Sequence, residues 1–435
     1  MSVDQILTLL VLAAVVAALI WDRLRADVVA LTGAAVLLMA GVVRPGEVQG
    51  AFASPAILAL ASLFVIAYAL ELSGLLDRAI AGAVQLCQRL GSGGMWLLMA
   101  LCGGASAFLN NTPIVVLGAP VVRDTAVKLG LAPKRYLIPL SYITVLGGCC
   151  TLIGTSTNLL VNDMARVSGQ ASFGIFEIAP VGIAAALAGG LYLFLVSGKL
   201  LRADEGDDDA EQPILPGQLE MGGAQVGNAE VFAEPRPFAP LKAAAALGVF
   251  AGAVALATFD VAPIAATAFA GAVLLILLRV ITADEAYSGL KAEILMLIAG
   301  MVVIGIAMEE SGLAFAASEL LVGATDGVDP VVALIVLYLA TTILTELLSN
   351  ATVAVLVTPV AVALAESLGV SPRPFLVAVM MAGSLAFATP FGYQTNAIVY
   401  QMGNYRYMDF VRVGLPLNLV TGVAAVVAIG VFFPF

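Results

Sequence analysis

Four short polar segments interrupt an otherwise apolar chain: Phe108-Leu109-Asn110-Asn111-Thr112-Pro113, Thr151-Leu152-Ile153-Gly154-Thr155-Ser156-Thr157-Asn158, Leu347-Leu348-Ser349-Asn350-Ala351-Thr352 and Ala388-Thr389-Pro390-Phe391-Gly392-Tyr393-Gln394-Thr395-Asn396. Their amides and hydroxyls are neutral donors and acceptors, and their glycines and prolines release backbone groups from a helix ladder. That chemistry suits ion binding without fixed charge. A hard cation such as sodium takes several oxygens, from carbonyls freed at a helix break and from Ser, Thr or Asn. An anion takes amide and hydroxyl donors and the positive end of a helix.

The segments pair. Glu71-Leu72-Ser73-Gly74-Leu75 recurs as Glu309-Glu310-Ser311-Gly312-Leu313, Asn110-Asn111-Thr112 as Ser349-Asn350-Ala351, and Pro120 as Pro359. Gly154, Thr157 and Asn158 recur as Gly392, Thr395 and Asn396. The offset is 238 or 239 throughout, which marks an internal duplication. The first and third segments read as hairpin tips, the second and fourth as breaks within helices. Tip and break of one half would make one cation site and the copy the other, with the anion between them.

The elements that must position these groups follow from composition. Of 435 residues, 61% are hydrophobic and 11% charged, against roughly 45–50% and about 25% in soluble domains. The apolar runs match the roughly 20 residues of a bilayer-spanning helix. The fold expected is an all-α polytopic membrane protein of two inverted repeats, each with five transmembrane helices, a re-entrant hairpin and a broken helix. The first repeat occupies 1–202, with spans at 5–22, 27–44, 54–72, 134–161 and 174–200. The second occupies 237–435, with spans at 239–258, 263–280, 293–312, 374–400 and 409–433. The runs 92–129 and 329–366 are too long for one crossing and are broken mid-way by the polar triplets, so they read as the hairpins. Polar backbone is tolerated at membrane depth where it is buried in protein or lines a wet cavity. The first apolar run reads as a retained helix, because it lacks a basic leader region and Trp21-Asp22-Arg23 replaces a small-residue cleavage site.

Five spans per half is an odd number, so the second half must enter the membrane inverted. With both termini outside, 16 of the 19 Lys and Arg residues fall inside and only Arg44, Arg166 and Arg373 outside, as the positive-inside rule requires. Residues 203–236 then form an acidic cytoplasmic linker of a cell (inner) membrane protein. Nine acids and no base lie between 203 and 235, and without them the net charge of −11 becomes 21 acids against 19 bases. The linker reads as a solvated connector. Inverted repeats with broken helices are the signature of a secondary transporter with a midplane site.

Other classes are disfavoured. With no histidine, imidazole metal sites and proton relays are absent, which leans towards sodium as the coupling ion. The acidic balance argues against a nucleic-acid partner, and the four cysteines read as packing residues. No phosphate-binding Gly-rich loop is present, and no constellation suits an enzyme or calls for a cofactor. Among ionisable residues, Glu71 and Glu309 read as interface or cap residues at span ends. Glu346 reads as a carboxylate bracing the second hairpin. A Na+/H+ antiporter or a metalloid oxyanion exporter remains the alternative reading.

These segments resemble the divalent anion:sodium symporter family of dicarboxylate and sulfate carriers, within the ion transporter superfamily, over nearly the whole chain outside the linker. Its marks are a Ser-Asn-Thr triplet at each hairpin tip and a Gly-x-Pro-Pro-Asn-like break in the following helix. Here the triplets read Asn110-Asn111-Thr112 and Ser349-Asn350-Ala351, and both proline pairs are missing. The resemblance implies an elevator-type symporter, usually a homodimer, carrying a small anionic substrate. By position it implies one sodium site at Ser106, Asn110, Asn111 and Gly154, and a second at Thr345, Ser349, Asn350 and Gly392. The anion would meet Asn111, Thr112, Thr155, Asn350, Ala351 and Tyr393. Ala351 replaces a threonine hydroxyl and Tyr393 a small hydroxyl residue. The 392–396 segment looks more like the sulfate-type branch, and losing a positioned donor should weaken binding of a long dicarboxylate.

Overall fold

The computed structural model describes residues 2–21, 24–75, 78–79, 82, 90–201, 237–259, 261–313, 316, 328–390 and 392–435. The linker 203–236, Cys87 and Phe391 lie outside the described residues. Among those described, regular structure is helical throughout. The first half contains α1 (Val3–Trp21), α2 (Ala26–Met39), α3 (Pro45–Phe52), α4 (Pro55–Leu72), α5 (Ser92–Ser106), α6 (Asn111–Lys128), α7 (Lys134–Gly148), α8 (Ser156–Val167) and α9 (Ala179–Tyr192). The second contains α10 (Pro240–Thr258), α11 (Ile264–Leu277), α12 (Ala283–Gly289), α13 (Ala292–Glu310), α14 (Pro330–Leu347), α15 (Asn350–Ser367), α16 (Arg373–Ser384), α17 (Gln394–Met402) and α18 (Tyr407–Phe432).

Local signals set the helix ends, and they recur in both halves. The short helices α3 and α12 each start with a backbone N–H bonded to the Glu three residues on, Arg44 N to Glu47 Oε2 at 2.7 Å and Thr282 N to Glu285 Oε2 at 2.7 Å. This is the reciprocal half of a capping box. Sequence hydropathy had not anticipated these two helices, which are too short and polar to register as spans. Helices α4 and α13 end in matching turns. Ser73 and Ser311 accept from the N–H groups of Leu75 and Leu313, and Gly74 and Gly312 adopt φ of +67° and +72°. That left-handed conformation favours glycine at a helix C-terminus, which explains why Ser-Gly is repeated in the sequence.

Packing between halves is reciprocal. Helix α2 packs on α13 and α4 on α11, α6 on α17 and α15 on α8, α8 on α16 and α7 on α17. The last helices, α9 and α18, pack on each other. Within halves, α5 packs on α7 and α14 on α16. Corresponding helices of the two halves thus make corresponding contacts.

Two helices form the centre. Tyr136, Tyr142 and the residues around them on α7 are buried on every face, as are Phe375 to Ser384 on α16. A helix apolar all round belongs in a core. By contrast, α18 exposes Leu415, Leu419, Val423, Val427 and Val431, one stripe at a spacing of four. Seven helical stretches among the described residues are long and apolar enough to cross a membrane. The stripe is the surface such a helix offers to lipid.

The α5–α7 crossing is so close that a Cβ at Gly147 would lie 1.9 Å from the Gly103 carbonyl oxygen. Gly147→Ala is therefore expected to destabilise the protein by roughly 3 kcal/mol, the upper end of overpacking effects. Gly252→Ala, with open space at the same position, should leave the detergent-solubilised melting midpoint unchanged. Scanning fluorimetry of the two variants beside the parent checks the contrast.

Candidate functional site

Each hairpin turns where the polar triplet stops one helix and caps the next. Helix α5 ends at Ser106 and α6 starts at Asn111, with Asn110 as N-cap accepting from Thr112 N at 3.4 Å. Helix α14 ends at Leu347 and α15 starts at Asn350, with Ser349 as N-cap accepting from Thr352 N at 3.3 Å. The breaks are equally matched. Helix α7 stops at Gly148 and α8 begins after Thr155, which accepts from Thr157 N at 3.4 Å. Helix α16 stops at Ser384 and α17 begins after Tyr393.

The loops inside the breaks fold alike. Thr151 Oγ1 donates to the Ala107 carbonyl, accepts from Gly154 N at 3.1 Å, and its own carbonyl accepts from Asn158 Nδ2 at 3.0 Å. Thr389 Oγ1 donates to the Glu346 carbonyl at 3.2 Å and accepts from Gly392 N at 3.0 Å, while its carbonyl accepts from Asn396 Nδ2 at 3.2 Å. Thr151 and Thr389 thus tie each break to its hairpin. Sequence reading quoted both without assigning them a role. Their positions 238 apart were the signal.

In the first half, oxygens converge beside Gly154. A Cβ there would lie 2.5 Å from the Gly148 carbonyl oxygen and 2.9 Å from those of Ser106 and Ala107. These carbonyls belong to the last turns of α5 and α7, which have no intrahelical partners and carry the negative ends of two helix dipoles. The Asn111 side-chain oxygen joins them. It accepts from Ser106 Oγ and would lie 2.5 Å from a Cβ on Gly148. Ser106 and Asn111 are fully buried. The structure therefore brings together Ser106, Asn111 and Gly154, while Asn110 caps the tip beside them.

In the second half, Thr345 stands where Ser106 does. Its hydroxyl lies 2.9 Å from both the Asn350 side-chain oxygen and the Gly383 carbonyl. One hydroxyl proton serves one of these fully, so an oxygen lone pair is left over. A Cβ on Gly392 would meet Glu346 Oε2 and Thr389 Oγ1, each at 3.0 Å. Ser349 turns away from this group to bond Thr352 Oγ1 at 2.7 Å. Thr345 and Asn350 are thus joined, Gly392 lies beside Glu346 and Thr389, and Ser349 acts as a helix cap.

Helix α6 packs on α17 and α15 on α8, and the N-termini of α6 and α17 meet through side-chain hydrogen bonds. Asn111 Nδ2 donates to the Tyr393 phenol oxygen at 2.7 Å, and Thr155 bonds the same phenol. Thr112 Oγ1 donates to Gln394 Oε1 at 3.2 Å, a contact that the sequence did not suggest. On this flank the groups are linked to one another. On the opposite flank Ala351 has no hydroxyl, and it packs half-buried against the core. Helix N-termini with amide and hydroxyl donors suit an anion, and oxygens at helix C-termini suit a cation.

Comparison with known proteins gives the family. The profile of the citrate transporter family, CitMHS, matches residues 16–367 and 348–435. A probable sodium/sulfate cotransporter of Chlamydomonas reinhardtii is 47% identical over 103 residues, which cover 22% of this chain and 12% of that protein. The sodium-dependent dicarboxylate transporter SdcS of Staphylococcus aureus is 23% identical over 92% of this chain and 80% of its own. Among solved structures, the YdaH transporter of Alcanivorax borkumensis superposes with a TM-score of 0.61 at 14% identity, covering 88% of this chain and 86% of its own. The chain belongs to the citrate transporter family, part of the divalent anion:sodium symporter group of the ion transporter superfamily, and is a multi-pass membrane transporter of anions.

Proposed function

We infer that this protein is a sodium-coupled symporter of a divalent anion, sulfate or a small dicarboxylate. The observation that carries this reading is the repeated oxygen cluster at the C-termini of α5 and α7 and again of α14 and α16, with helix N-termini between. Neutral oxygens held at helix C-termini suit sodium, and the N-termini suit an anion of two charges. Relatives named for sodium/sulfate and sodium-dependent dicarboxylate transport support the pairing of these ions.

The reading has further parts. Residues 1–202 and 237–435 act as inverted repeats joined by the acidic linker 203–236 on the cytoplasmic side of the cell membrane, with both termini outside. Support comes from the reciprocal helix packing and the distribution of Lys and Arg. Hairpins and broken helices move as one elevator body against a scaffold of the earlier spans, in a homodimer. Asn111, Thr112, Thr155, Asn350 and Tyr393 face the anion, and the linked Tyr393 flank crowds one side of its pocket.

In proteoliposomes, labelled sulfate or succinate should accumulate only under an inward sodium gradient. Uptake driven by a pH gradient without sodium would overturn the coupling. Asn111→Ala and Asn350→Ala should each reduce uptake to background while the protein still inserts and elutes as a single species, which size-exclusion chromatography checks. Gly154→Ala puts a methyl group among three carbonyl oxygens. It should raise the sodium concentration for half-maximal uptake by about tenfold or more, the effect of losing roughly 1.4 kcal/mol of binding; sodium titration of initial rates measures it.

A further inference from the structure

We propose that Glu346 gives the second cation site a fixed negative charge that the first site lacks, so the two sites of the symporter are chemically unequal. The proposal rests on the sodium-coupled reading above and adds to it.

The comparison of the two halves isolates this residue. Position 346 is the repeat partner of position 107, and the hydroxyls of Thr389 and Thr151 donate to their carbonyls in the same way. Around Gly154 the crowding oxygens are backbone carbonyls of Ser106, Ala107 and Gly148. Around Gly392 the corresponding neighbours are a hydroxyl and a carboxylate, Thr389 Oγ1 and Glu346 Oε2. One cradle is built from neutral dipoles alone. The other contains a formal charge.

The surroundings of Glu346 hold that charge in place. Oε1 accepts from Phe387 N at 2.8 Å, Ala388 N at 2.7 Å and Asn418 Nδ2 at 2.7 Å. Among the described residues, Oε2 accepts from Thr389 N only, at 2.9 Å. Four donors among the described residues bond the group, as suits a carboxylate, an acceptor-only group. Three of the donors are consecutive backbone N–H groups, an anion-holding nest. Oε1 is saturated, whereas Oε2 keeps a lone pair on the side of Gly392. The Asn418 side-chain oxygen is buried without a hydrogen-bond partner, which leaves a second uncommitted oxygen close to the carboxylate. No Lys or Arg among the described residues forms an ion pair with Glu346. A carboxylate within a membrane segment needs a partner, and a cation seated by Gly392 supplies one.

The charge has opposite effects on the two ions. It attracts the second sodium and repels the anion, so its removal should weaken sodium and leave anion affinity unchanged or improved. Loss of a merely structural brace would weaken both. The test is Glu346→Gln in proteoliposomes, with sodium titrated at saturating anion and anion titrated at saturating sodium. The sodium concentration for half-maximal uptake should rise about tenfold or more, as a lost charge a few ångströms away implies, and the Hill slope should fall towards one. Half-saturation by the anion should not rise. A sodium curve that overlays the parent, or equal weakening of both ions, would overturn the proposal. Sodium-independent uptake by the parent itself would instead sink the symport reading. Should Glu346→Gln fail to fold, Glu346→Asp keeps the charge but withdraws it by one methylene. A roughly threefold rise in the sodium midpoint, with anion half-saturation unchanged, is then expected; no change in the sodium midpoint would refute the role.

Discussion

Backbone N–H and C=O groups at membrane depth must find partners inside the protein or in what it binds, because lipid offers none. Everything distinctive in this structure descends from four places where the chain violates the unbroken helix that would satisfy them. Each hairpin tip and each break creates a helix C-terminus with orphan carbonyls and, a few residues on, a helix N-terminus with orphan N–H groups. Thr151 and Thr389 satisfy part of this demand, each serving its own break and the neighbouring hairpin. The remaining oxygens crowd together at the ends of α5 and α7. The same kind of interruption therefore gathers oxygens at one helix end and N–H donors at the next, and it recurs in both halves.

Duplication fixes where these groups sit, and divergence fixes what they do. The hydroxyl–amide pair survives in both halves, as Ser106 with Asn111 and as Thr345 with Asn350. Other positions have drifted. Ser141 donates to the Asn396 side-chain oxygen at 2.7 Å, but its repeat partner is Met380, and the Asn158 side-chain oxygen is left buried without a hydrogen-bond partner. Thr155 is paired with Tyr393, and Thr112 with Ala351. Each exchange alters one flank of the central space, so a symmetric framework encloses an asymmetric ligand environment.

Much of this was legible in the sequence because the duplication writes every important polar residue twice. Ser106 and Thr345 are pointed to only by the family resemblance, whereas the tips at Asn111 and Asn350 and the breaks at Gly154 and Gly392 stand out by their spacing. The same signal extended to Thr151 and Thr389, which make the paired braces. What the sequence hid has a common physical cause: contacts between residues far apart in the chain that have no like counterpart in the repeat. Asn418 is a lone amide in an apolar helix, and Gln394 gives no hint that it accepts from Thr112, some 282 residues away. The short helices α3 and α12 were hidden for another reason. Their capping boxes are local and polar, and hydropathy averaged over a span does not register them.

The ties that lack a repeat counterpart also bind the two breaks into one body. Tyr142 on α7 donates to the Phe387 carbonyl in the opposite break at 2.5 Å. Tyr405 accepts from Ile138 N at 3.1 Å and donates to the Lys134 carbonyl at the start of α7. Tyr142 and Tyr405 are almost wholly buried, where an unmade hydrogen bond would be expensive. These bonds hold the loop around Phe387, and hence the carboxylate of Glu346, at a set position relative to α7 and its terminal oxygens at Gly148. A carrier that couples ions needs its sites to respond together, because an ion on one side can favour its partner only through a structure that both share. Here the ties to the opposite half run through α7. It is buried on nearly every face, meets α5 where Gly147 approaches Gly103, and ends at the Gly148 carbonyl beside Gly154.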